Sequence, residues 1–297
     1  MTAPSVKFYD LKGEEFRDMQ HLRHAQTAAA ARPPLALPEE RKARMTAAFA
    51  KPILFLTEVL ETDRNTSWNV FFNASMQGAS TEFLAFYDPS NHFFTLGGLP
   101  DAEGAQDVIM HEITHWLLGH ELGEISDPSI ESQALHEGLS DCYACALDAW
   151  DEASKTFNDS LSSADTWIIT GLQGTREIRD LRHPAITTID ELEAFKASHK
   201  SGDPKLPHTY GQLAVFLFRG AVQELGMEKA IKRLHGIVTA PKAYWDNSFT
   251  FEDLKAELAS PATIDRGFRL KTEVLVLLGV FSLAGWALWD FFTTTDF

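Results

Sequence analysis

At 297 residues and 44% hydrophobic content, the chain is long enough for one large or two modest domains around a real core. Its 26 Lys+Arg against 42 Asp+Glu leave a net charge of -16, which repels phosphate backbones and excludes nucleic acid as an expected partner. The two cysteines, Cys142 and Cys145, lie three positions apart, which excludes a secreted disulfide framework and leaves the redox compartment open.

Met1 to Gln20 carry Lys7, Asp10, Lys12, Glu14 and Glu15 at short intervals, so no secretory signal is expected. The stretch AAAARPPLALP at 28–38 reads as an extended connection. Arg44 to Glu61 place Phe49, Ile53, Leu54, Val59 and Leu60 at helical spacing, with Pro52 as a kink or a late start. Between Trp68 and Leu96, the runs Trp68–Phe72 and Phe83–Tyr87 are rich in β-formers and divided by Gly78 and by Asp88-Pro89-Ser90-Asn91, which predicts a small antiparallel sheet. Beyond Gly104 the periodicity is helical, over Ala105–Leu118, Ile130–Trp150, His208–Leu225, Met227–His235 and Phe251–Leu258. The expected class is α+β: a β-containing N-terminal part with one helix at 1–104, a helical part at 105–262, and an apolar C-terminal helix at 263–297. Within the last, Val274 to Trp289 hold no charge and follow Arg266, Arg269 and Lys271. This run is either a membrane anchor, reaching about 20 residues only if Phe291 and Phe292 are added across Asp290, or a last core helix. As an anchor, its basic flank would keep the body of the chain on the cytoplasmic side.

His111-Glu112-Ile113-Thr114-His115 lies in an amphipathic helical stretch without proline or glycine. Residues four apart share a helix face, so both imidazoles can hold one ion while Glu112 sits beside an open coordination position. Matches of this length also arise in unrelated helices, so a third ligand is required. Glu137, 26 residues past His111 and at the start of the next helix, supplies it. Two His and one Glu leave a fourth position for water, the catalytic rather than the structural arrangement of zinc. Asp141 falls on the same face as Glu137 and can accept the second ring N–H of a ligand histidine, setting its tautomer.

These segments resemble the thermolysin-like neutral metallopeptidases. Ser132-Gln133-Ala134-Leu135-His136-Glu137-Gly138-Leu139-Ser140-Asp141 is similar to that family's second motif, at nearly the family's spacing from the two-histidine helix. Ile178-Arg179-Asp180-Leu181-Arg182-His183-Pro184 resembles the segment whose arginine, here Arg179, binds the substrate carbonyl. Asp203 and His208 resemble the aspartate–histidine pair that stabilises the oxyanion, and Gly211 and the helix after it fit as well. Phe8-Tyr9-Asp10 looks like the start of the family's mature domain.

The resemblance implies a reduced thermolysin-like fold with the active site between its β-containing and helical parts. It implies one zinc on His111, His115 and Glu137, with Glu112 as base and His208, Asp203 and Arg179 serving the oxyanion. The implied substrate is a peptide or protein cut before a bulky apolar residue. Val108, Ile169 and Ile178 would line the pocket for that residue, and Gly78-Ala79 would fall on the substrate-binding edge strand.

Several positions depart from the family. Pro128 stands where a second oxyanion donor, a tyrosine, is expected. Asp107 and Asp148 match two carboxylates of a paired calcium site, but Ile168 and Gly171 replace others, so one calcium at most is expected. The mature-like sequence begins at once, so no propeptide is expected before it. These losses favour a rival reading, a thermolysin-like module of weak or no activity that binds a protein partner, whereas the intact Glu112, His208 and Asp203 favour catalysis. A zinc hydrolase acting on non-peptide amides differs from the leading reading only in substrate.

His120 is one residue away from a three-histidine metzincin spacing, with Glu121 at the ligand position. Cys142 and Cys145 lack the second pair that a tetrahedral site needs and read as small buried residues. His136 reads as a residue near the cleft. His21, His24, His92, His183, His199 and His235 have no partner spacing. The expected location is the cytoplasm, or a tail-anchored membrane with the catalytic part in the cytoplasm.

Overall fold

A computed structural model describes residues 5–31, 38–62, 67–76, 85–88, 93–98, 105–122, 130–170, 172, 177–198, 206–240 and 249–260. The first third holds strands β1 (Ser5–Asp10) and β2 (Glu15–Phe16), helices α1 (Met19–Ala30) and α2 (Glu39–Leu54), and strands β3 (Ser67–Phe72), β4 (Ser75–Met76), β5 (Ala85–Asp88) and β6 (Phe93–Leu96). Four of the strands form one sheet in the order β1-β3-β6-β5. In it β1 and β3, and β3 and β6, run parallel, while β5 and β6 run antiparallel.

The sheet is therefore mixed rather than antiparallel, and the first thirty residues are the reason. A parallel neighbour needs a long crossover, and α1 with α2 supplies it between β1 and β3. The α1 helix starts at Asp18, whose side chain accepts from His21 N at 2.8 Å, and it continues through Ala30, into the stretch expected to be extended. Side chains alternate across the pleat. Phe8, Trp68, Val70, Phe72, Phe94 and Leu96 enter the main core, whereas Tyr9, Phe71 and Phe93 form a second cluster with Phe16 and Leu22 of the α1 side. A sheet covered on both faces reads as continuous apolar runs such as Val70-Phe71-Phe72, which is how parallel strands read. Arg23 of α1 clamps Asp88 of β5 through Nε at 2.8 Å and Nη2 at 3.0 Å.

Pro52 lies inside α2, and the helix then widens into one π turn, Phe55–Val59. Proline lacks the N–H and crowds the carbonyl one turn back, so the ladder is interrupted in the turn before it.

The remainder is mainly helical: α3 (Gln106–Leu122), α4 (Ile130–Ala149), the short hairpin β7 (Trp150–Asp151) and β8 (Thr156–Phe157), α5 (Ala164–Trp167), the hairpin β9 (Ile168–Thr170) and β10 (Glu177–Asp180), then α6 (Ile189–Ser198), α7 (Leu206–Leu225), α8 (Met227–Val238) and α9 (Phe251–Ala259). Helix α4 is central, buried on all sides from Gly138 to Leu147, and Cys142 and Cys145 are free thiols within it. It meets α7 at a glycine notch, where a Cβ on Gly138 would overlap the Gly211 carbonyl oxygen and one on Gly211 would lie 2.7 Å from Gly138 N. Helix α8 is anchored by Asp159, which accepts from Met227 N at 2.6 Å, and Tyr143 of α4 meets His235 of α8 at 3.0 Å. A Thr250–Asp253 capping box starts α9, whose end is held by Arg233 donating to Leu258 O at 2.7 Å.

The apolar run Val274 to Trp289 lies outside the described residues, among which no helix is long and apolar enough to cross a membrane.

Candidate metal centre

Helix α3 is buried on most of its circumference, with Val108, Ile109, Met110, Ile113, Trp116, Leu117 and Leu118 in the core. That fixes its rotation. His111, 2% exposed, and Glu112, 6% exposed, are drawn inside, while His115, one turn on, keeps a wetter position. Helix α4 brings Glu137, Ser140 and Asp141 against this face, β10 brings Arg179, and α7 brings His208.

Three ligand-type atoms meet at one point. His111 Nε2 lies 3.1 Å from His115 Nε2 and 3.1 Å from Glu137 Oε2, and His115 Nε2 lies 3.4 Å from the same Glu137 oxygen. Tetrahedral zinc with ligands at about 2.0–2.2 Å places ligand atoms about 3.3–3.6 Å apart, and the edges of this triangle lie at or slightly below that spacing. A second set, His111, Glu137 and His208, keeps its ligand atoms within 4.8 Å and shares the same His111–Glu137 edge. The first set is the tighter, since the His111 ring centroid is 4.8 Å from that of His115 and 6.0 Å from that of His208.

Asp141 sets the chemistry of His111. Asp141 Oδ1 lies 2.8 Å from His111 Nδ1, and an ionised carboxylate only accepts, so Nδ1 carries the hydrogen. The Nε2 lone pair then faces an electron-rich triangle, which is satisfied only by a positive charge, a proton or a metal cation. In the protein alone a proton takes this place. Burial disfavours it, but hydrogen bonds to Asp141 and Glu137 push the His111 imidazole up to about 10. Glu137 stays well below the usual carboxylate range despite burial, because His115, His111 and His208 all favour its charge. Burial likewise opposes ionisation of Asp141, and the Arg179 guanidinium, whose Nη2 donates at 2.6 Å, holds its carboxyl down. His136, beside Glu137, is pushed down to about 4 by burial and then by the charge of His115, so it is neutral at pH 7.

His208 Nδ1 is 2.9 Å from Glu137 Oε2 and 3.4 Å from Arg179 Nη1, so Arg179 and His208 flank the triangle together. Val108 and Ile169 are buried in the main core, on α3 and β9, while Ile178 lies on β10 with its side chain outside the described set. Asp203, Gly78, Ala79 and Pro128 lie outside the described residues. Two contributors escaped the sequence reading. Ser140 Oγ stands 3.4 Å from His115 Nδ1, and its position three residues past Glu137 was the signal available. Thr170 binds Asp107 from 63 residues away, and nothing local announces it.

At the calcium position, where one ion at most is expected, the chain supplies its own donors. Both Asp107 oxygens already accept hydrogen bonds, from Val108 N–H and from the Thr170 N–H and hydroxyl. Ile168 offers no oxygen beyond its backbone, and Gly171 lies outside the described residues. Burial, opposed by these hydrogen bonds, raises Asp107 to about 6, and burial plus the Asp107 charge raises Asp148 well above the usual carboxylate value.

No protein-family model matches the chain, and no curated protein matches it. Among solved structures it is similar to the precursor of protealysin, a metalloproteinase from Serratia proteamaculans, with 11% identity, a TM-score of 0.47, and coverage of 87% of this chain and 88% of that one.

Proposed function

We propose that the chain is a zinc-dependent endopeptidase of the thermolysin type. The observation that carries this reading is the triangle of His111 Nε2, His115 Nε2 and Glu137 Oε2, with edges of 3.1, 3.1 and 3.4 Å, backed by Asp141 on His111 Nδ1. Bound zinc would act as a Lewis acid on a carbonyl and lower the pKa of its water to about 7.

The remaining chemistry belongs to the chain. Glu112, buried and adjacent to His111, takes the proton from the attacking water and returns it to the leaving amine. His208 and Arg179 stabilise the developing oxyanion as donors from two separate elements. Arg179 commits Nη2 to Asp141 and sets Nη1 3.4 Å from His208 Nδ1. By the family resemblance alone, Val108, Ile169 and Ile178 would sit beside an apolar side chain after the cut.

The test is zinc content and peptide cleavage of the purified chain beside Glu112→Gln. About one zinc in both proteins, with cleavage lost by at least about a hundredfold in the mutant, is the expected outcome. Zinc without cleavage of a broad peptide library would transfer the assignment to a metal-bearing binding module. A chain that takes up no zinc would remove the metal centre.

A further inference from the structure

The hairpin that carries Arg179 is fastened to the histidine helix at one point. Asp107, 4% exposed in the first turn of α3, accepts from Val108 N–H at 2.7 Å and from both donors of Thr170: its N–H at 2.5 Å and its hydroxyl, shared between the two oxygens at 3.0 and 3.2 Å. Thr170 is the last residue of β9 and pairs with Glu177, while Ile169 before it pairs with Arg179 across the hairpin. The clamp is therefore one residue from the position that sets Arg179. Arg179 in turn donates to Asp141, which holds His111.

We propose that Thr170 is a positioning residue: its two hydrogen bonds to Asp107 lock the β9–β10 hairpin onto α3, and so hold Arg179 on Asp141 and His208, without a calcium ion. The donors to Asp107 are a backbone amide of its own helix start, a strand amide and a hydroxyl, which together engage both oxygens and tie helix to strand with no cation between them. The cross-link that a metal would make between helix and strand is here made by the chain itself. The activity side of this proposal rests on the peptidase reading, whereas the clamp can be measured without zinc.

The test compares the full chain with Thr170→Val, which keeps the amide and removes the hydroxyl, and with Thr170→Ser, which restores it. In metal-free protein, amide exchange at 168–170 and 177–180 is expected to quicken about tenfold in Thr170→Val, to return toward wild type in Thr170→Ser, and to stay unchanged in α8. Millimolar calcium is expected to leave wild-type exchange and the thermal midpoint where they are. With zinc, Thr170→Val is expected to weaken affinity by about tenfold, the scale of an outer hydrogen bond, and to add nothing in an Arg179→Lys background. Unchanged hairpin exchange in Thr170→Val, additive losses with Arg179→Lys, or a calcium-dependent slowing of wild-type exchange would each overturn the proposal. Failure of zinc binding in the wild type would count against the peptidase reading and leave the exchange result to decide the clamp.

Discussion

Asp141 joins two partners that would otherwise conflict, His111 Nδ1 at 2.8 Å and Arg179 Nη2 at 2.6 Å, deep in the protein. Removing one member of such a buried pair leaves the other charge uncompensated, which typically costs about 3–5 kcal/mol. Asp141→Asn is therefore expected to destabilise the metal-free chain by that order in urea unfolding, and separately to weaken zinc binding about 10- to 100-fold in chelator competition. Loss of stability with unchanged zinc affinity would mean that Asp141 serves only Arg179. At this scale the sequence was informative where partners share a helix. The four-residue spacings of His111 with His115 and of Glu137 with Asp141 state which side chains share a face. Arg179 and Thr170 offered no such spacing, since their partners are 38 and 63 residues away.

At the scale of elements, the α4–α7 contact decides whether Glu137 and His208 meet. Gly138 follows Glu137 and Gly211 lies three residues past His208, and the two backbones touch where side chains would stand. Gly138→Ala is expected to destabilise by about 1–3 kcal/mol through overpacking against backbone that cannot move aside. Gly220→Ala in α7 and Gly236→Ala in α8, where a Cβ meets nothing within 4 Å, are expected to stabilise by about 0.5–1 kcal/mol through helix propensity. Thermal or urea unfolding of the three variants checks the contrast, and three changes of the same sign would contradict the notch. Elements from α3 onward were largely legible, since α3, α4, α7, α8 and α9 begin within two residues of where periodicity placed them. Helix α6 was missed, as were α1 and the N-terminal strand β1. Strand β1 has few residues and needs β3 beside it, so its identity as a strand is a matter of pairing rather than of its own six residues.

Across the whole molecule, several buried groups make stability depend on pH, and between about pH 4 and 6 they oppose one another: His136, lowered from 6.5 to about 4, adds stability as pH rises there, while Asp107 loses it. The Asp107 pKa is raised from its usual 3.8 to about 6, so its contribution is full below the lower value and is lost as pH rises through the higher one. His111, raised from 6.5 to about 10 when no metal is present, likewise contributes fully below 6.5 and loses that contribution as pH climbs toward 10. The unfolding free energy of chelator-treated protein is expected to fall by a few kcal/mol between pH 6.5 and 10. With zinc on Nε2 that decline is expected to vanish, because the ligand histidine no longer takes up a proton. Identical curves with and without zinc would argue against His111 as a ligand.

By itself the sequence determined the helical framework, the α+β class and the candidate histidine–glutamate set, because helical periodicity and i,i+4 spacing are local properties of a chain. The tertiary structure decided the parallel pairing of the sheet, the insertion of β1, the convergence of Arg179 and His208 on Glu137, and the engagement of Asp107 by Thr170. Those contacts depend on which faces of separate elements bury one another, and burial of this kind is set by packing between distant segments, which no short stretch of residues records.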